Sequence, residues 1–309
     1  MEEVLGKRLV VVTGKGGVGK TTVAAALGLA AARAGKRTMV CEVSEQERIT
    51  QAFEKPPAGF NETKVAENLH TFSINPDDAK EEWLKHQLRS GALAGLLSSS
   101  RIFQYLTAAA PGLAEIVTIG KVWELAQLER RTPRSAPYDL VILDAPATGH
   151  GLALMRAPRT YADVAKVGPI HNHAKAIEGF ITDPKQTAIL AVALAEEMPV
   201  NETIDLEAKL RDEMGMELAG IFVNAVLPER FSGAEAEAMA SVDGAGSPAA
   251  REALEAALAA HQRAKGQRSQ VARLKRGADA PVATLPFLLT PEVGADDLEE
   301  LSREVERKL

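Results

Sequence analysis

The chain has 309 residues, 46% of them hydrophobic, enough to bury the core of one large α/β domain or of a domain that carries a subdomain. Its 36 basic and 42 acidic residues leave a formal charge of −6, so no overall field draws it to nucleic acid or anionic lipid, and no nucleic-acid partner is expected. Cys41 is the only cysteine, which excludes an internal disulfide, a Cys-x-x-Cys zinc clamp and a multi-thiol metalloid site within one chain.

The opening "MEEVLGKRLVVV" is acidic and lacks the basic start and small-residue cleavage site of a signal peptide. The longest uncharged stretches, such as "SGALAGLLSSS" at 90–100, fall short of the roughly 20 apolar residues of a membrane span. A soluble, cytoplasmic protein with no direct membrane insertion is the expectation.

"RLVVVT" (8–13) predicts a short buried strand, and "KTTVAAALGLAAARAG" (20–35), rich in strong helix formers and closed by Gly, predicts a helix. Between them lies a glycine-rich loop. "KRTMVCEV" (36–43) and "YDLVILDAP" (138–146) read as further strands, with the continuous apolar runs of a parallel sheet covered on both faces. "TAILAVAL" (187–194), "ELAGIFVNAV" (217–226) and "APVATLP" (280–286) complete the set. Strands separated by helical segments predict an α/β fold, a doubly wound parallel sheet. One domain spanning 1–309 is expected, with a helical insertion subdomain over about 76–131 and a further helical segment over about 228–279. In the latter, "AAREALEAALAAHQRAKGQRSQVARLKR" predicts a long Ala-rich helix with a solvated face, basic toward its C-terminal end where cations suit the dipole. "VDGAGSP" (242–248) reads as the turn before it.

The loop itself, Gly14-Lys15-Gly16-Gly17-Val18-Gly19-Lys20-Thr21, is a complete phosphate-binding signature. Its glycines let backbone N–H groups turn inward around a phosphate, and the helix that follows adds its dipole. Lys20 is the residue for the β- and γ-phosphates and Thr21 the ligand for Mg²⁺. Downstream, "LVILDAPATGHG" puts Asp144 at the end of an apolar strand, where a carboxylate can orient magnesium-bound water from behind the metal. Lys15 is one lysine more than such a loop needs.

"GKGGVGKTT", "DAPATGHGLALMRAP", "FVNAVLPE" and "LPFLLTPEVGADDLEEL", in this order and over about 8–305, resemble the ArsA/Get3 family of ATPases within the wider MinD-like group, whose phosphate loop carries an additional lysine. The resemblance implies a P-loop fold that binds ATP/ADP with Mg²⁺. It also implies that Lys15 reaches across a two-fold axis to the nucleotide of a second protomer, a cation supplied in trans to the transferring phosphoryl group. By the same resemblance Thr22 contacts the α-phosphate, Thr148, Gly149 and His150 belong to a switch that senses the γ-phosphate, Asn224 bonds adenine, and Pro286 and Phe287 begin the loop that closes over the base.

Three departures from the family pattern stand out. After the second strand the family reads Asp-Pro-Ala-His-Asn, its Asp positioning the attacking water; this chain has "CEVSEQERITQAF" (41–53), which puts Ser44 at the place of that Asp. Glu42, Glu45 and Glu47 are the carboxylates available to substitute, with Glu42 the first choice. Cys41 alone cannot build the soft-ligand arsenite site of the arsenite-handling relatives or the zinc clamp of the tail-anchor-targeting ones, so neither arsenite nor zinc is expected. The insertion has no Met between 77 and 131, so the methionine-rich client groove of the targeting relatives is missing; "LAGLLSSSRIFQYLTAAAPGLAEIVTIGKVWEL" (93–125) is apolar and reads either as a client groove or as ordinary core.

Two smaller features carry ordinary readings. The histidines of "HNH" (171–173) stand two apart, on different faces of a helix, and do not share a metal. "AEEMPVNETIDLEAKL" (195–210) reads as a strand end and a helix, with Glu196 and Glu197 solvated.

The functional expectation is a Mg-ATP-dependent ATPase, a homodimer or a heterodimer with a related subunit, that couples hydrolysis to binding or release of a hydrophobic or membrane-protein client. Two alternatives stay open: a nucleotide-gated binding protein with little hydrolysis, and a MinD/ParA-like positioning ATPase, which the acidic "DDLEELSREVERKL" disfavours. A reductase of the nitrogenase iron-protein type is excluded, since its bridging cluster needs two cysteines from each protomer.

Overall fold

A computed structural model describes residues 3–43, 46–88, 112–129, 135–242 and 246–309, with only the backbone of 84–88 and 169–170. Ser44, Glu45 and most of the apolar stretch 93–125 therefore lie outside the described residues.

Eight strands form one sheet: β1 (Leu9–Thr13), β2 (Thr38–Glu42), β3 (Thr63–Ala66), β4 (Leu69–Ser73), β5 (Leu140–Asp144), β6 (Thr187–Leu194), β7 (Gly220–Val226) and β8 (Val282–Pro286). Their spatial order is β3-β4-β2-β5-β1-β6-β7-β8. Every pairing is parallel except the β3–β4 hairpin at one edge. The six strands expected from apolar runs are all present, each beginning within three residues of its predicted start. β3 and β4 were not anticipated. They are short, Lys64 and His70 break their apolar alternation, and the turn between them rests on Asn68 in the left-handed region (φ 55°), a local event with little sequence signature.

Among the described residues the α-helices are α1 (Lys20–Arg33), α2 (Arg48–Ala52), α3 (Pro76–Leu88), α4 (Leu113–Leu125), α5 (Thr148–Ala165), α6 (Pro169–Thr182), α7 (Glu197–Met214), α8 (Gly233–Ala240), α9 (Pro248–Gly277) and α10 (Ala295–Glu306). α3 and α4 fall within the insertion read at 76–131, and α8 and α9 within the segment read at 228–279. Ser232 and Glu235 close a reciprocal capping box on α8, and the Ser247 hydroxyl caps α9.

Alternation along β1 divides the core. Leu9 and Val11 join Val141, Leu143, Ile119, Ile177 and Leu206 on one face, beneath α4, α5, α6 and α7. Val10 and Val12 join Val23, Leu27, Leu298 and Leu301 on the other, beneath α1 and α10. All five residues of β1, β2 and β5 are buried, which is why these strands read as unbroken apolar runs rather than as alternating ones. Arg33, at the end of α1, fastens α10 through Glu299 (2.6 Å), Glu306 (3.4 Å) and the Ser302 hydroxyl. α9 is largely exposed and meets the body through Ala264 and Leu274. Among the described residues no helix is long and apolar enough to cross a membrane.

Candidate nucleotide-binding site

The parallel strands all deliver their C-terminal ends to one rim of the sheet, the place where open α/β sheets bind ligands. β1, flanked by β5 and β6, ends there at Thr13, and the chain turns through Gly14–Gly19 into α1. Gly14 has φ 146°, and a Cβ at that position would run into the Val192 carbonyl of β6. Gly19 has φ 89°, and its missing Cβ makes room for the Asn224 side chain. The loop therefore takes a path that a side chain at either position would block.

Within the loop Lys20 Nζ donates to the carbonyl of Lys15 at 3.1 Å, which curls the ammonium back over the loop's own backbone. Burial lowers the Lys20 pKa, while Asp144 pulls it the other way. Thr21 Oγ1 donates to Asp144 Oδ2 at 2.5 Å. Asp144 is buried at the end of β5, and its other oxygen, Oδ1, has no hydrogen-bond partner among the described residues. Desolvation raises its pKa to about 6, opposed by the Thr21 hydroxyl and by the charges of Lys20 and Arg48. A buried carboxylate oxygen left open beside a threonine hydroxyl fits a hydrated divalent cation held by Thr21 directly and by Asp144 through water. Among the described residues no cluster of His, Cys, Asp and Glu forms an all-protein metal site, and Cys41 is fully buried in β2.

Beside Asp144 in register stands Glu42, at the end of β2 and 1% exposed. Its carboxylate accepts the Arg48 N–H (3.0 Å) and the Ile49 N–H (3.2 Å), so it holds the start of α2 on the strand end. Desolvation first, and the Asp144 charge in the same direction, push its pKa to about 7 against those two N–H bonds. Glu47 accepts from the Ala58 and Gly59 N–H groups and braces the following turn.

Lys15 leaves the loop on its outer side. Its ammonium pairs with Glu202 of α7 at 2.5 Å, both side chains about a third exposed. Thr148 N donates to the Gly14 carbonyl at 3.1 Å, which sets the first turn of α5, with Gly149 and His150 exposed, against the loop. On the far side Asn224 Nδ2 donates to the Val18 carbonyl at 3.0 Å. Ala225, with φ 55°, kinks the chain just after it, and Gln267 of α9 holds that kink by bonding the Ala225 carbonyl (3.2 Å) and the Leu227 N–H (2.8 Å). Phe287 N donates to Val226 O, so Pro286 and Phe287 leave the sheet beside this kink, with the Phe287 and Leu289 side chains exposed. A cleft opens over the rim between Gly17–Thr22, residues 46–52 and the segment Glu292–Gly294.

Of the residues read from sequence, Lys20, Thr21, Thr22, Asp144 and Glu42 gather around one end of this rim, and Thr148 and Asn224 each touch the loop. Ser44 lies outside the described residues. The histidines of "HNH" diverge on α6: His171 bonds the Ala162 carbonyl and His173 packs edge-on against Trp123. Sequence reading missed two participants, Glu202 and Arg48. Glu202 lies within a segment recognised as a helix, but its approach to Lys15 across 187 positions depends on β6 being the neighbour of β1. Arg48 lies in the stretch that departs from the family pattern, where attention went to carboxylates.

A phosphate loop of this build, set between the first strand and first helix of a doubly wound sheet, places the chain among the P-loop nucleotide-binding proteins. A family profile described as anion-transporting ATPase matches residues 7–172 and 162–241, and the chain belongs to that family. It is 31% identical over 229 residues to the ATPase BagA of Mycobacterium tuberculosis, a match covering 72% of this chain and 66% of that protein. It is 25% identical over 305 residues to a putative arsenical pump-driving ATPase of Halobacterium salinarum (95% of this chain, 43% of that protein). It is also 25% identical over 267 residues to the ATPase GET3C of Arabidopsis thaliana (71% and 67%). The chain thus spans just under two thirds of the mycobacterial relative and less than half of the haloarchaeal one.

Proposed function

We propose that the chain is a Mg-ATP-dependent ATPase that works as a nucleotide-switched dimer and couples hydrolysis to binding or release of a protein or membrane-protein client. The observation that carries this reading is the division of labour between the two loop lysines. Lys20 is folded inward over the cradle, while Lys15 points outward to the rim and is held there by one partly exposed carboxylate. A cation in that position serves a neighbouring protomer better than its own phosphate loop.

Loop N–H groups and Lys20 bind and orient the β- and γ-phosphates, and Thr21 and Asp144 hold Mg²⁺. When bound, the ion neutralises charge on the phosphate oxygens. Glu42 is the proposed proton acceptor for the attacking water, on the ground that its pKa of about 7 lies near the working pH and that it stands beside Asp144. Thr148–His150, tied to the loop through the Thr148 N–H, relay the loss of the γ-phosphate into α5. Asn224, Pro286 and Phe287 line the side assigned to the base. Arsenite is not the proposed cargo, because Cys41 is buried and without a second thiol.

Mixing variants tests the dimer. Lys15→Ala and Lys20→Ala, each inactive alone, are expected to recover phosphate release when combined, since one site of the mixed dimer then has its own Lys20 and its partner's Lys15. A mixture no more active than its parts, with release per chain independent of protein concentration, refutes the reading in trans. One observation favours the nucleotide-gated binder as second reading: both Glu42 oxygens already accept backbone N–H groups. Tight ATP binding without phosphate release, unchanged by Glu42→Gln, selects it.

A further inference from the structure

We infer that Arg48 is the residue by which the cleft distinguishes a nucleoside triphosphate from a diphosphate, contacting the terminal phosphate from the side opposite the phosphate loop. The inference rests on the reading of this cleft as a nucleotide site and goes beyond it, because it assigns the sensing of the third phosphate to a cation of the same chain. Arg48 opens α2 and lines the same cleft as Gly17, Gly19, Lys20, Thr21 and Thr22. Its backbone is fixed there: the Arg48 N–H is bound by Glu42, whose strand position is the register partner of Asp144.

Among the described residues the neighbouring carboxylates Glu42 and Glu47 are committed elsewhere. Glu42 accepts the backbone N–H groups of Arg48 and Ile49, and Glu47 accepts those of Ala58 and Gly59. The guanidinium instead donates to a neutral amide oxygen, Gln46 Oε1, at 3.0 Å. An arginine oriented by a neutral partner retains its full charge and further donors for an anion. Arg48 also stands near enough to Asp144 for its charge to act on that carboxyl. Lys20 and Arg48 both line this cleft. In a loop of this kind the backbone encloses the β-phosphate, and the strand end bearing Asp144 lies beyond it, where only a triphosphate extends.

Calorimetric titration of the full chain with Mg-ADP and with the non-hydrolysable Mg-AMP-PNP tests this without reference to turnover. Arg48→Gln is expected to weaken AMP-PNP by about ten-fold or more while Mg-ADP affinity stays within about two-fold, as loss of one charge-assisted contact predicts. Arg48→Lys recovers part of the difference, lacking the planar fork. Lys55→Gln, which removes another cation from the cleft wall, is expected to leave the ratio of the two affinities unchanged. Equal weakening of both nucleotides by Arg48→Gln, no weakening of either, or the same change of ratio in Lys55→Gln overturns the inference while leaving the nucleotide site standing. Failure of the unsubstituted chain to bind either nucleotide overturns the nucleotide reading itself. If Arg48→Gln does not fold, Gln46→Ala, which frees the guanidinium from its amide, carries the test: a smaller loss confined to AMP-PNP supports the inference, and unchanged affinity for both removes it.

Discussion

Glu42 gives the chain a pH-dependent stability that a single substitution removes. The carboxyl is 1% exposed and its pKa stands at about 7, against the ordinary 4.5 that it takes once unfolded. Because the folded state holds the proton more tightly, the contribution of this group is fully present below pH 4.5 and is lost as the pH rises through about 7. The pKa gap corresponds to a loss on the order of 3 kcal/mol across that window. Glu42→Gln keeps an acceptor oxygen for the Arg48 and Ile49 N–H groups but cannot ionise. Urea unfolding of both proteins between pH 4.5 and 8.5, with chelator and without nucleotide, measures the difference directly. Taking variant against parent also removes most of the titration of Asp144, present in both. The variant is expected to match its parent near pH 4.5 and to exceed it by up to about 3 kcal/mol at pH 8. A difference that stays constant with pH, or one that grows toward acid, refutes the argument that desolvation governs this carboxyl.

Gly14→Ala is expected to abolish nucleotide binding and to cost at least about 2 kcal/mol of stability, since the new methyl meets the Val192 backbone and φ 146° is strained for any side chain; AMP-PNP titration and thermal unfolding check the two effects together. Arg33→Ala is expected to lower stability by about 1 kcal/mol through loss of the Glu299, Glu306 and Ser302 contacts. Repeating the urea titration in 1 M salt should shrink that difference, and an unchanged difference assigns the effect to packing instead.

The fold was legible where burial was complete. β1, β2 and β5 are buried along their whole length because helices cover both faces of the sheet, and their apolar runs show it. β3 and β4 were not legible, because both are short and mix polar with apolar residues, even though most of β4 is buried. The phosphate loop was legible because its geometry demands glycines at fixed spacing, as Gly14 and Gly19 show. Contacts that close the site across the chain were not. Lys15 meets Glu202, Asn224 meets Val18, and Gln267 meets Leu227 only because β6, β7 and the long α9 are brought to the loop by sheet order. No periodicity in the chain encodes that order. Arg48 was readable as a residue type but not as a neighbour of Asp144, since its position depends on Glu42 capping the short α2.

The packing of α10 on α1 bears on the order in which the molecule is made. The face of α1 that begins at the phosphate loop is sealed by Leu298, Leu301 and Val305, and Arg33 is clasped by the same helix. A chain synthesised only as far as β8 has every strand of the sheet, but the apolar side of its phosphate-binding helix still faces water. Completion of the cradle therefore waits for residues 295–306, and until they emerge the nascent chain exposes an apolar surface that a chaperone can hold.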